Sequence, residues 1–310
     1  MAEITLQELN RLASDPKSVI EESEKIYHGR ISLIADGIIK NDNIKLVLLA
    51  GPSGSGKTTT ANLIADALRT RGEEAMVVSL DDFYLDSDDP RYPRLDNGEP
   101  DYECPEALDL ERLSSTLSDI TECRPFSLPK YDFKSGKRIK ENRHGSADRS
   151  CVIIEGLHAL NPKIYKDLDK NKLLRLFVSV STNVNENGER ILSGRKARFV
   201  RRLVRDSIYR GASAERTLAF WQAVLAAEDI YLYPYKSDAD LAFDTFHNFE
   251  LSVMKPFVRK VIPASLAGGS EYVKTVVSAL EKITEIDHSL VPENSLIREF
   301  IPGGIYESLY

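Results

Sequence analysis

Residues 51–58 read Gly-Pro-Ser-Gly-Ser-Gly-Lys-Thr, behind an apolar run from Leu46 to Ala50 and ahead of a helix-compatible stretch from Ala61 to Leu68. A strand that passes through a glycine-rich turn into a helix is the order in which a backbone loop wraps phosphate groups. The glycines let successive N–H groups turn inward, where a Cβ would block an anion. Lys57 is expected to reach the β- and γ-phosphates of a nucleoside triphosphate, and the Thr58 hydroxyl to take one place on Mg²⁺. The expected cofactor-binding set is Gly51, Ser53, Gly54, Ser55, Gly56, Lys57, Thr58 and Thr59, with ATP and Mg²⁺ as the cofactors.

From residue 44 onward strand and helix signals alternate. Strands are expected at 45–50, 75–80, 151–155, 174–180 and 240–246, and helices at 57–70, 106–119, 196–209, 213–228, 249–261 and 270–284. That alternation predicts an α/β fold, mainly a parallel sheet with helices on both faces. Residues 120–148 break the pattern with two short candidate strands around Lys134-Ser-Gly-Lys137, which predicts a small antiparallel flap. Residues 85–105, rich in Asp, Pro, Gly and Tyr, read as a long functional loop. Residues 1–43 carry helical periodicity without strand signals, so a helical arm is expected to precede a domain spanning 44–310.

The composition narrows the function. Of 310 residues, 42% are hydrophobic and 29% charged, and the net charge of −7 argues against broad nucleic-acid binding. Cys104, Cys123 and Cys151 form no C-x-x-C pair and fit a reducing cytoplasm. No segment approaches the roughly twenty apolar residues that a membrane span requires.

Three further features carry chemistry. The strand ending at Leu80 delivers Asp81-Asp82 to the carboxyl edge of the sheet, where open α/β sheets bind ligands. A phosphoryl acceptor needs a carboxylate there to orient its hydroxyl and accept its proton. Cys151-Val-Ile-Ile-Glu155 delivers a second acid to the same edge, and Glu155 is expected to serve Mg²⁺ with Thr58 and Asp81. Residues 195–211 form a basic helix in which Arg198, Arg202 and Arg205 share a face, and it reads as an arginine-rich lid for a polyphosphate.

Ser79-Leu-Asp-Asp-Phe-Tyr84, Pro129-Lys-Tyr-Asp-Phe133, Ile154-Glu-Gly156 and Arg201-Arg-Leu-Val-Arg-Asp-Ser-Ile-Tyr-Arg-Gly211 stand in the order and spacing of the uridine kinase / phosphoribulokinase family of P-loop kinases. The resemblance covers roughly residues 44 to 260. It extends, through Ile31-Ser-Leu-Ile-Ala-Asp36 and Asn294-Ser-Leu-Ile-Arg-Glu-Phe300, to a bacterial uridine kinase-like group that often carries an N-terminal TGS extension, and the resemblance implies that residues 1–43 are expected in its place. It implies the P-loop NTPase fold. It also implies Asp81 as the base, with Lys57, Arg202 and Arg205 in the catalytic set. Tyr84, Tyr131, Glu103 and Arg210 then fall on the acceptor side. Two departures stand out. Family members read Phe-Asp-His-Pro where this chain has Tyr102-Glu-Cys-Pro105, and they place a base-contacting His where this chain has Gly136.

The expected activity is transfer of the ATP γ-phosphate to a hydroxyl of a small molecule, with uridine or cytidine and its 5′-hydroxyl as the leading acceptor. A kinase of another sugar-like or polyol acceptor and a nucleotide-binding regulator without turnover are the alternatives. A homo-oligomer is compatible with the chain; neither nucleic acid nor membrane is expected as a partner.

Overall fold

The computed structural model describes residues 2–95, 98–133, 135–146 and 150–309. In chain order its elements begin with strand β1 (Glu3–Thr5), helices α1 (Leu6–Ala13) and α2 (Pro16–Lys40), β2 (Leu46–Ala50), α3 (Lys57–Thr70) and β3 (Glu74–Ser79). Then come α4 (Leu110–Thr121), β4 (Phe126–Asp132), β5 (Lys137–Gly145), β6 (Ser150–Glu155), α5 (Pro162–Tyr165), β7 (Leu173–Ser179), β8 (Asn183–Glu186) and β9 (Glu189–Leu192). The chain continues through α6 (Gly194–Arg210), α7 (Ala214–Tyr231), β10 (Leu241–Asp244), α8 (Glu250–Val261), α9 (Ala264–Gly269) and α10 (Glu271–Glu281). A strap of irregular chain and short 3₁₀ turns follows to residue 309.

The central sheet runs β10-β7-β2-β6-β3 with every neighbour parallel. All five residues of β2 are buried, as a parallel sheet covered on both faces requires. Side chains alternate across a strand, so β2 feeds two cores. Val47 and Leu49 join the core formed with α2, α3, α6, α8 and α10, while Leu46, Leu48 and Ala50 join the one formed with α4 and α5. The α/β class and the mainly parallel, doubly covered sheet agree with the expectation. β4 and β5 pair antiparallel within the expected flap. No helix among the described residues is long and apolar enough to cross a membrane.

Two expectations need correction. The first residues are not wholly helical, because β1 pairs in parallel with β8. Three residues are too few to show an alternation, and the pairing comes from the far strand. The second is an omission: β8 and β9 form a hairpin through Asn187-Gly188, both at positive φ (53° and 82°). Asn-Gly is the dipeptide that such a two-residue turn demands, so this signal was present in the sequence.

The N-terminal helices are part of the main core. Pro16 at the first helical position and the Asp15 cap start α2, and its Val19, Ile20, Tyr27, Ile31, Ile34 and Ile38 are buried. On that face the Tyr27 hydroxyl lies 2.7 Å from the Thr60 hydroxyl in the first turn of α3.

Candidate active site

The glycine-rich loop connects the end of β2 to α3. A Cβ on Gly51 would sit 2.4 Å from the Val178 carbonyl, and Gly54 and Gly56 lie at φ +74° and +84°, so these positions accept no other residue without a shift. Gly56 caps α3 without a side chain, leaving the first N–H groups of the helix to other acceptors. Lys57 Nζ donates to the Pro52 carbonyl at 3.2 Å, folding the ammonium over the loop.

Two buried ion pairs hold this loop from behind. Arg198 makes a two-pronged bond to Glu228 (2.7 and 2.8 Å) and donates to the Ser53 carbonyl, while the same carboxylate accepts the Ser53 N–H. Arg201 pairs with Glu250 in the same manner and reaches the Gly54 carbonyl at 3.1 Å. Both arginines are at 0% exposure, so Arg198 does not share the phosphate-facing side expected for it with Arg202 and Arg205. It fixes the loop backbone instead. Nothing local in the sequence singled out Glu228 and Glu250.

The three acids at the sheet edge differ in their surroundings. Asp82 is buried and paired with Lys130 and Arg143, both at 3.0 Å, so it ties the β4–β5 flap to the end of β3. Asp81 is reachable by solvent and has no ion pair among the described residues. The protein around it still hinders ionisation and raises its pKa, Asp82 adding to the rise while Lys57 and Arg210 oppose it. Glu155 is buried, and that burial lifts its pKa to about 7 against the pull of Lys57. Thr58 Oγ1 donates to Glu155 Oε1 at 3.3 Å.

This donor set fits a divalent cation. A buried carboxylate with a raised pKa and a hydroxyl beside it gain from a nearby positive charge, and Asp81 is close enough to raise Glu155 further. The described residues hold no cluster of three or more His, Cys, Asp or Glu.

On the arginine side Asp206 is the hub. It accepts from Arg205 at 2.9 Å, pairs with Arg202 at 3.2 Å and lies 3.4 Å from Arg210. Burial opposes its ionisation, but the three guanidinium groups outweigh that and hold its pKa down. Arg202 also donates to Ser53 Oγ at 2.9 Å, bringing the cluster to the loop. Arg210 is lowered to about 10, first by its neighbour Arg205 and then by burial. Sequence reading took the arginines and passed over Asp206.

The acceptor side is aromatic. Tyr84 and Tyr131 lie with ring centroids 5.6 Å apart, and Phe133 stands edge-on to Tyr131 at 5.1 Å. Glu103 is half-buried, and burial raises its pKa while Arg202 lowers it. His158, which sequence reading did not consider, is buried behind this loop and bonds the Glu103 backbone. Gly136 lies at φ +66°, and a Cβ there would meet Ser87 Oγ at 2.7 Å. Of the neighbours that could replace the missing histidine, Lys137 is paired with Asp88 at 2.6 Å, and Arg138 donates to the Tyr84 carbonyl at 2.9 Å. Lys134 lies outside the described residues.

The family model for the phosphoribulokinase / uridine kinase family matches residues 46–252. The chain belongs to this family. It is similar to a uridine kinase of Schizosaccharomyces pombe, 27% identical over 83% of this chain, and it spans only 54% of that relative's length. A uridine kinase of Lactobacillus johnsonii is 27% identical over 63% of this chain and 84% of its own. A solved structure from Bacillus stearothermophilus, described as a "possible uridine kinase", aligns at 21% identity over 70% of this chain and 98% of that one, with a TM-score of 0.47.

Proposed function

We propose that this chain is an ATP- and Mg²⁺-dependent kinase that phosphorylates a hydroxyl of a small molecule, the 5′-hydroxyl of uridine or cytidine first among them. The observation that carries the reading is one arrangement. Asp81, with no ion pair among the described residues, stands at the sheet edge within the field of Lys57, beside the Thr58–Glu155 pair at the start of α3. Membership of the family, with relatives named as uridine kinases, supports the nucleoside.

In this reading the loop amides from Gly51 to Thr59 hold the phosphates and Lys57 follows the γ-phosphate. Asp81 orients the acceptor hydroxyl and takes its proton, and Arg202, Arg205 and Arg210 balance charge on the transferred group. Thr58, Glu155 and Asp81 would hold Mg²⁺, which when bound neutralises charge on the phosphate oxygens. Tyr84 and Tyr131 line the acceptor site and Glu103 holds a sugar hydroxyl. We assign the kinase domain to 44–310, with 120–148 as its flap and 195–211 as its arginine-bearing lid, and residues 1–43 as an attached arm. A cytoplasmic location fits the composition.

The experiment is steady-state kcat/KM for ATP-dependent phosphorylation of uridine, cytidine, adenosine and ribose. Gly136 offers the base no hydrogen bond, and Lys137 and Arg138 are engaged elsewhere, so base discrimination falls to stacking on aromatic rings. The expected pyrimidine preference is therefore below about 10³, the range that directed hydrogen bonds reach. A larger preference refutes relaxed selectivity, and turnover of ribose alone refutes the nucleoside reading.

The raised Glu155 pKa gives a second expectation. A carboxylic acid whose folded pKa lies above its unfolded value keeps a proton that the unfolded chain has lost. The cation-free protein is therefore expected to lose stability as pH rises from about 4.5 to about 7, the interval between the two values. Mg²⁺ must displace that proton, so its affinity should fall as pH drops through about 7. Calorimetric titration of Mg²⁺ into the ADP-bound protein at pH 6 and pH 8 checks this, and Glu155→Gln should flatten the difference.

A further inference from the structure

The strap that follows α10 returns across the molecule and passes the glycine-rich loop at residues 296–300. Leu296 packs on Gly56 so closely that a Cβ there would lie 2.6 Å from Leu296 Cδ1. One turn later Glu299, 5% exposed, aims its carboxylate at the first turn of α3. Its Oε2 accepts both the Thr59 N–H at 3.3 Å and the Thr59 hydroxyl at 2.9 Å. The strap is held in place by Ser295, whose hydroxyl donates to Glu24 on α2, and by Phe300, whose ring lies 5.1 Å from the Arg201 guanidinium. Leu296, Glu299 and Phe300 stand beyond the residues matched by the family model, which end at 252.

The contact has a direct consequence for ligand binding. An N–H in the first turn of a helix that begins at a glycine is a donor for an anion, favoured by the helix dipole. A phosphate-binding loop presents such donors to the α- and β-phosphates. Thr59 presents its N–H to a carboxylate that already carries the matching charge. One N–H makes one strong bond, so a phosphate and Glu299 compete for it. A phosphate arriving with Glu299 still in place would also meet a like charge at close range with little water between.

We propose that Glu299 is a resident competitor of the nucleotide: it occupies the Thr59 donors in the free protein, and polyphosphate binding displaces it and loosens the strap from Leu296 to Phe300. The proposal rests on residues 51–59 being the nucleotide loop. Glu299→Gln keeps the shape and an acceptor oxygen but removes the charge, and a hydrogen bond to a carboxylate is roughly twice as strong as one to a neutral acceptor. ADP is expected to bind Glu299→Gln about tenfold tighter than the wild-type chain by calorimetric titration. In the unaltered protein, ADP should speed amide hydrogen exchange at residues 296–300, a readout independent of how well the variant folds. ADP binding that is unchanged or weaker in Glu299→Gln, or exchange at 296–300 that slows on binding, overturns the competition. No ADP binding to either protein overturns the loop reading and the competition together.

Discussion

Lys57→Ala is expected to cut kcat by about 10² to 10³, the loss that follows removal of a single donor aimed at developing charge. The fold should survive. Among the described residues the Lys57 ammonium donates one hydrogen bond, to the Pro52 carbonyl, and the loop backbone is held by Arg198 and Arg201. A second effect distinguishes this substitution from simple loss of phosphate affinity. The Lys57 charge lowers the pKa of both Asp81 and Glu155, and both carboxyls are already raised, Glu155 by its burial and Asp81 by surrounding protein that hinders its hydration. Without the lysine both are expected to move further up, so the proposed base needs a higher pH to ionise. The acidic limb of the kcat–pH profile should shift upward in Lys57→Ala. Measuring kcat from pH 5.5 to 8.5 checks both effects. Turnover within about threefold of wild type would remove this loop from the chemistry, since a transition-state contact costs far more than that.

The parts of this site that depend on local spacing were legible in the sequence. The loop, the acids that follow β3 and end β6, and the basic helix each announce themselves within about ten residues, because strand, turn and helix signals are short-range. The roles within the arginine helix were not legible. Arg198 and Arg202 lie one turn apart, yet one is buried against Glu228 and the other reaches Ser53 Oγ. The difference is set by α7, whose acid is distant in sequence and marked by no periodicity. Asp82 shows the same limit. Its neighbour Asp81 shares its residue type and strand end, and only the return of Lys130 and Arg143 from the flap makes it a structural anchor. Glu299 was further from reach still, because a carboxylate near the C-terminus has no sequence mark that ties it to Thr59. Pairings across the chain are decided by packing, and a single sequence does not display them.

That contrast between the two adjacent acids leads to a second large effect. Asp81→Asn keeps the shape of the side chain but accepts no proton, so kcat is expected to fall by about 10² to 10⁴, the range for loss of a positioned general base. KM for ATP should stay within about threefold, because the amide keeps an oxygen for the cation and loses only the proton transfer, which belongs to the transition state. The pH profile carries the sign. In the proposed role Asp81 acts only when ionised, and its pKa is raised because the surrounding protein hinders its hydration, so wild-type activity is expected to be lost as pH falls through that raised value. The variant should lack this limb. Asp82→Asn removes a charge that is shared between two cations, each about half exposed, and solvent screens much of what such pairs contribute. It should loosen the flap and raise KM for the acceptor, while kcat stays within about tenfold of wild type because no proton is transferred there. The measurement is kcat and both KM values for the two variants side by side. If Asp82→Asn proves the more damaging to kcat, the base is Asp82, and Asp81 has been given the wrong role.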